Sequence, residues 1–362
     1  MTDPGPDTAG EAPSTKLLII GVDSVTFRLL RPMVEAGELP TFRKLMDEGS
    51  HGVLLSSVPS VTPPGWTTSY TGVNPGKHNV FDFKDHVKYL EGDLVYEMAS
   101  PTSRSIKADP VWRLLNREGM SIGMVNAPMA YPVEDMDGYM IAGFPCPTEG
   151  EGLIHPPDLE DEISKAMPGY RFYGDPQYLD KERPDKYLEG INRITSNRAK
   201  VAINLARSRP TDVVFMIFTE VDRVQHYFWN TWDETHSTHN AEKARFKGAL
   251  PEHYKVVDRG IKELMDTVGQ DVPVIVYSDH GAAPIERHFF PNTYLIQEGV
   301  IVMKGDKGPD EGGEKGGKQV KTSRLDRRKL EAMMKRMGME GIIHKIPKRL
   351  RTIFPVYNFE TV

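Results

Sequence analysis

Short apolar runs recur along this chain, and stretches with helical spacing lie between them. The runs are KLLIIGVD from Lys16, GVLLSS from Gly52, SIGMVNAP from Ser121, GYMIAGF from Gly138, DVVFMIFTEVD from Asp212 and VPVIVYSDHG from Val272. Between them stand PTFRKLMDEG, DPVWRLLNREGM and a long segment from Lys186 to Ser208. Runs of strand length alternating with helices indicate an α/β fold, in which helices flank a mostly parallel central sheet. At 362 residues and 40.7 kDa the chain can bury a large core, as two domains or as one large domain with an insertion. Residues 1–15, polar and rich in Pro and Gly, read as a disordered leader. Residues 16–300 carry the main domain, interrupted over 145–187 by a Pro-, Gly- and Tyr-rich, cap-like insertion. Residues 301–362 read as a flexible Gly/Lys-rich loop and a helical segment.

Charge and cysteine content exclude whole classes of function. The formal charge is −6, with Lys+Arg 45 against Asp+Glu 51, so no basic field points to a nucleic-acid partner. Cys146 is the single cysteine, which excludes an internal disulfide and a cysteine-built metal site and suits a reducing compartment. The N-terminus has no apolar run behind a basic start and so does not read as a signal peptide. No stretch reaches the ~18 apolar residues of a membrane span, so no transmembrane segment is expected. Together these readings place the protein in the cytoplasm.

Three of the apolar runs lead into an aspartate: Asp23, Asp222 and Asp279. In an open parallel sheet the carboxyl ends of the strands share one edge, and ligands bind in the crevice there. Each aspartate alone is an ordinary turn or cap residue. Their neighbours suggest more. His226 follows Asp222 by four residues, so a helix starting at Asp222 puts both on one face, close enough to grip one cation. His280 follows Asp279 directly, and Gly281 permits a turn in which both converge. Two Asp/His pairs and a third aspartate can hold two divalent metal ions. With no thiolate among the donors, zinc, manganese and iron are all chemically suited.

The stretch PSVTPPGWTTSYTGVNPGKH, from Pro59 to His78, has two readings. Thr62 followed by Pro63 is a helix start, with Gly72 as the stop, so the hydroxyl can serve as a plain N-cap. The same geometry sets a hydroxyl beside free N–H groups and the positive end of a helix dipole, where an anion is welcome. Beside two metals, that hydroxyl becomes a nucleophile for phosphorus. Local sequence leaves both readings open.

The order GVDS, VTPPGWTTSYTGVNPGKH, EVDRVQH and SDHG resembles the type I phosphodiesterase/nucleotide pyrophosphatase branch of the alkaline phosphatase superfamily, from about Lys16 to Phe290. The resemblance implies an alkaline-phosphatase-like α/β fold and a metal-dependent hydrolase of small-molecule phosphate esters. Asp23, Asp279 and His280 would hold the metal that also touches Thr62, the nucleophile of a phosphothreonine intermediate. Asp222 and His226 would hold the second metal. Two cations ~4 Å apart stabilise the entering and leaving oxygens of an in-line displacement. The chain departs from the nucleotide pyrophosphatases at Pro63, where they carry an aromatic, and at Asp82-Phe83, where they carry Asp-Asn. Both departures point away from a nucleotide substrate. His78, before Asn79, reads as structural.

Two other functions fit the same motifs less well. A sulfatase or phosphomutase on this scaffold is one, although a sulfatase needs cysteine or serine where Thr62 stands. A degenerate, non-catalytic binding protein is the other. The resemblance also leaves the Asp222/His226 metal short of a third ligand. Either the site is incomplete because the chain lacks a C-terminal segment, the favoured reading, or His236 fills the place. His288 and His344 sit in no matching motif. The aromatics of FWNTWDETHSTH read as core, Gly305 to Gly317 as a mobile loop and KIPKRLR from Lys345 as a solvated basic face.

Overall fold

The computed structural model describes residues 15–84, 88–90, 93–95, 100–168, 170, 182–239, 241–285 and 287–298. Residues 1–14 of the expected leader, residues 169 and 171–181 of the 145–187 stretch, residues 305–317, His344 and the basic run from Lys345 lie outside them. The described residues divide into two compact units at residues 286/287. The sheet lies in the first, and the second holds the short helix over Pro291–Gln297.

The strands, in chain order, are β1 (Leu17–Val22), β2 (Lys88–Leu90), β3 (Asp93–Val95), β4 (Ile122–Ala127), β5 (Gly138–Ala142), β6 (Ile154–His155), β7 (Val213–Phe218) and β8 (Val274–Tyr277). β2 and β3 form a separate hairpin. The others form one sheet in the order β6-β5-β4-β7-β1-β8, in which β5 through β8 pair in parallel and β6 runs antiparallel to β5. This is the mostly parallel, helix-flanked sheet expected from the alternating runs. β4 and β7 are buried at every position, as strands covered on both faces must be.

The helices of the first unit are α1 (Phe27–Glu35), α2 (Pro40–Glu48), α3 (Thr62–Thr71), α4 (Pro75–His78), α5 (Val111–Arg117), α6 (Leu159–Ala166), α7 (Pro184–Ser208), α8 (Glu220–Trp232), α9 (Ala241–Ala244) and α10 (Ala249–Val268). Alternation along β1 divides the core. Leu18, Ile20 and Val22 face the side covered by α1, α2, α7, α8 and α10, while Leu17 and Ile19 pack with Trp66 and Tyr70 of α3 and Trp112 of α5. Phe228 and Trp229, from the aromatic stretch read as core, are buried in the first of these clusters.

Some elements differ from the sequence expectation. GVLLSS from Gly52 is not a strand: Val53, Leu54 and Leu55 are 78%, 67% and 89% exposed. Its composition favours a strand, but β1 has both edges taken, by β7 and β8, and no ladder forms along residues 52–57. A strand without a partner leaves its backbone to water, and propensity alone does not hold it. α8 begins at Glu220, two residues before the expected start at Asp222. Among the described residues, no helix is long and apolar enough to cross a membrane.

Candidate metal centre

Three elements end at one point. β1 runs into Asp23, whose N–H donates to the Phe218 carbonyl at 2.9 Å and so continues the β1–β7 ladder by one residue. The chain then turns sharply at Ser24, which holds a left-handed backbone at φ 62°. From that turn the Ser24 N–H donates to Asp279 Oδ1 at 3.4 Å, and its hydroxyl donates to the Gly281 carbonyl at 3.2 Å. Asp279 and His280 arrive from β8, the strand beside β1. Gln225 of α8 donates to the Ser24 carbonyl at 2.8 Å and fixes the turn from the third side.

The helix α3 closes the site with one face. Thr62, Gly65 and Trp66 stand at i, i+3 and i+4, which places them together on one side of a helix. The Thr62 hydroxyl donates to His280 Nε2 at 3.2 Å. A Cβ at Gly65 would lie 3.0 Å from Asp279 Cβ. The Trp66 indole N–H donates to Asp23 Oδ2 at 3.3 Å. The N-cap reading of Thr62 is therefore corrected: Val61 is the N-cap, Thr62 is the first helical residue, and no side chain caps the helix. Pro63 and Pro64 remove two of the free N–H groups that a cap would satisfy, so the hydroxyl is not needed there. Gly72 does end the helix, at φ 66°.

Each of the two carboxylates has one anchored and one bare oxygen. Asp23 Oδ2 and Asp279 Oδ1 accept from protein N–H groups, whereas Asp23 Oδ1 and Asp279 Oδ2 are buried without a hydrogen-bond partner. His280 Nε2 lies 3.5 Å from each bare oxygen. Its Nδ1 lies 2.9 Å from the Gly281 carbonyl, which only accepts, so Nδ1 carries the proton and the lone pair of the neutral ring is on Nε2. Three lone pairs thus converge within 4.8 Å of one another, in a site almost closed to water. Such a set is unfavourable without a cation, and it fits one. The protonation behaviour of the carboxylates agrees. Burial first, and the charges of Asp279 and Asp222 after it, raise Asp23 well above the usual carboxylate range. Burial, opposed by the Ser24 N–H and reinforced by Asp222, pushes Asp279 up to about 8.

Asp222 and His226 share one face of α8, with Nε2 and Oδ2 3.3 Å apart, and Asp222 is close enough to raise both other aspartates. Burial opposes the Asp222 charge, yet its hydrogen bond to His226 and the charge of that imidazole hold its pKa below the usual value. The structure gathers Asp23, Thr62, Asp279 and His280 and sets Asp222 at their border. His226 is more open, with 46% of its side chain exposed. Among the described residues no third carboxylate or imidazole joins the Asp222/His226 pair. His236 is tied into its own turn, where Nδ1 accepts the Thr238 N–H at 3.1 Å. His288 belongs to the second unit. His78 is structural: it is buried between the Thr68 hydroxyl, at 3.0 Å, and the Val80 N–H, at 3.2 Å.

The chain matches the type I phosphodiesterase / nucleotide pyrophosphatase family over residues 17–351. It belongs to that family. No curated protein matches it. Among solved structures it is similar to phosphonoacetate hydrolase from Sinorhizobium meliloti 1021 in complex with phosphonoformate, at 15% identity and a TM-score of 0.46, covering 75% of this chain and 56% of that one. It is also similar to BT1596, a 2-O GAG sulfatase, at 11% identity and a TM-score of 0.39, covering 76% of this chain and 61% of that one. The chain thus spans little more than half the length of the hydrolase. In this family member, sequence reading passed over Ser24, Gly65, Trp66 and Gln225. The spacing Thr62–Gly65–Trp66 in TPPGW was the visible signal for two of them.

Proposed function

We propose that this protein hydrolyses phosphate esters of small molecules through a phosphothreonine intermediate at Thr62, beside a site for two divalent metal ions. The observation that carries the reading is the convergence of two half-anchored, buried carboxylates, one imidazole lone pair and one threonine hydroxyl. Asp23, Asp279 and His280 would hold one cation and Asp222 with His226 the other. The donor set suits zinc, with manganese and iron as alternatives. The cations would supply positive charge that favours the ionised Thr62 hydroxyl and offsets charge on the phosphoryl oxygens.

Thr62 Oγ1 forms the new O–P bond while the bond to the leaving group breaks, and the leaving oxygen takes up a proton. Water then attacks the phosphothreonine, inorganic phosphate or a monoester departs, and Thr62 regains its proton. The N-terminus of α3 favours the extra negative charge during both steps. Ser24 and Trp66 keep the carboxylates oriented, and burial keeps bulk water from the hydroxyl. The test is to purify the protein without chelator, measure bound metal, and assay mono-, di- and sulfate esters of p-nitrophenol. Phosphate ester hydrolysis should stop on chelation and return with metal. Full activity in a verified metal-free sample overturns the reading, and a preference for the sulfate ester moves it to a sulfatase.

A further inference from the structure

Trp66 is wholly buried one helical turn after Thr62, with its indole N–H 3.3 Å from Asp23 Oδ2. Packing sets the position of the ring. Tyr70 lies 6.1 Å and Tyr277 5.6 Å away, centroid to centroid. On β1 the space is cleared by Gly21, where a Cβ would come within 2.5 Å of Trp66 Cη2. A side chain held this tightly is a fixed donor. An indole N–H cannot accept and does not change its proton at ordinary pH, so it gives the two oxygens of Asp23 unequal tasks. Oδ2 is tied to α3, and Oδ1 is left bare, 3.5 Å from His280 Nε2.

We propose that Trp66 is a positioning residue of the metal centre: it fixes the carboxylate plane of Asp23, and so sets the affinity of the Asp23/Asp279/His280 site for a divalent cation. The role rests on the metal-centre reading above. Partners that orient a metal ligand typically change affinity about 10- to 100-fold when removed, because the ligand must then be ordered at the cost of binding. A tryptophan that only fills the core would leave affinity alone.

Trp66→Phe keeps an aromatic ring against Tyr70 and Tyr277 and deletes the N–H. Titration of the metal-free variant with Zn2+ against a chromophoric chelator should show the tight site weakened about 10- to 100-fold, with the weaker site unmoved. Gly21→Ala should weaken the same site by displacing the indole from the other side. A folded Trp66→Phe protein whose tight site stays within about twofold of the parent overturns the role. A second measurement needs no variant to fold. With 15N-labelled indoles in the parent, the Trp66 N–H signal should move on Zn2+ addition, while that of Trp112, which donates to Glu134 away from both sites, stays in place. A Trp66 signal that ignores Zn2+ overturns the role as well. A parent that binds no divalent cation removes the metal centre itself. A parent that binds, beside a Trp66→Phe variant that binds equally, removes only the role of Trp66.

Discussion

The triad Asp23/Asp279/His280 and the pair Asp222/His226 use the same chemistry, yet the fold treats them differently. The triad is buried and each carboxylate has an N–H anchor from a neighbouring element, Trp66 of α3 for Asp23 and Ser24 for Asp279. The pair shares one face of α8, where Asp222 is also hydrogen-bonded to Ser24 and the imidazole is half open to water. The contrast shows what burial does to charge. In the triad, desolvation lifts both aspartates and makes a cation the natural partner; in the pair, the two side chains answer one another and Asp222 stays low. A buried, pre-oriented donor set binds tightly because little remains to be ordered, whereas a pair that offers only two ligands, one of them half exposed, binds more weakly.

The largest expected effect is at Thr62, beside His280 of the triad. Thr62→Ala should reduce turnover about 10^4- to 10^6-fold, as loss of a nucleophile does. Its stability should change by less than the ~1 kcal/mol of a lost cap, since Thr62 makes no cap hydrogen bond. Thermal unfolding and initial rates on one preparation check both. A folded alanine variant with near-parental turnover removes the nucleophile.

His253 sharpens the comparison by showing a buried imidazole with no carboxylate beside it. It is enclosed on α10, Nδ1 donates to Asn192 Oδ1 at 2.7 Å, and burial pushes its pKa from 6.5 down to about 3. The unfolded chain takes up a proton near pH 6.5, while the folded chain does not until about pH 3. The resulting stability is fully present above pH 6.5 and is lost as pH falls toward 3, by up to several kcal/mol. The difference between the parent and His253→Gln in urea unfolding should therefore narrow as pH is lowered through that window. A difference independent of pH would show that His253 protonates freely in the folded protein.

The two halves of the site should also differ in affinity. Zn2+ titration of the metal-free protein should give two phases about 100-fold or more apart. Asp279→Asn should remove the tight phase and Asp222→Asn the weak one. Equal, tight binding at both, with one site lost in His236→Ala, would make His236 a ligand and erase the contrast drawn above.

What was legible in the sequence follows the range of the signals. The parallel strands were readable because strands covered on both faces are continuous apolar runs, and the ends of β1 and β8 placed Asp23 and Asp279 at one edge. GVLLSS misled because a strand needs a partner that composition does not supply. Thr62 was ambiguous because capping and nucleophilic readings require the same residue at the same place; with Val61 as the N-cap the first reading falls, and the second is left to the Thr62→Ala experiment. The anchors were hidden for a different reason. The Ser24 N–H and Trp66 indole act across 255 and 43 residues of sequence, and no local pattern encodes such a contact.

The smallest predicted effect tests how finely α3 is set against the triad. A methyl at Gly65 would meet Asp279 at 3.0 Å to Cβ, 3.2 Å to the carbonyl oxygen and 3.3 Å to Oδ2. These contacts are tight, so α3 must move away by a few tenths of an ångström. Alanine favours the helix over glycine by up to ~1 kcal/mol, which offsets part of the strain and should leave Gly65→Ala folded. The same shift carries Thr62 and Trp66, on the adjoining positions of that face, away from His280 and Asp23. Since a 1 Å misplacement can cost about 100-fold in rate, a shift of a few tenths should lower kcat/KM by about tenfold or less. The tight Zn2+ phase should weaken by a similar factor and the Asp222/His226 phase should not move, because the three atoms nearest a Cβ at Gly65 all belong to Asp279 and none to α8. If both phases weaken together, the two halves of the site are mechanically one, and the difference in burial between them does not separate their function.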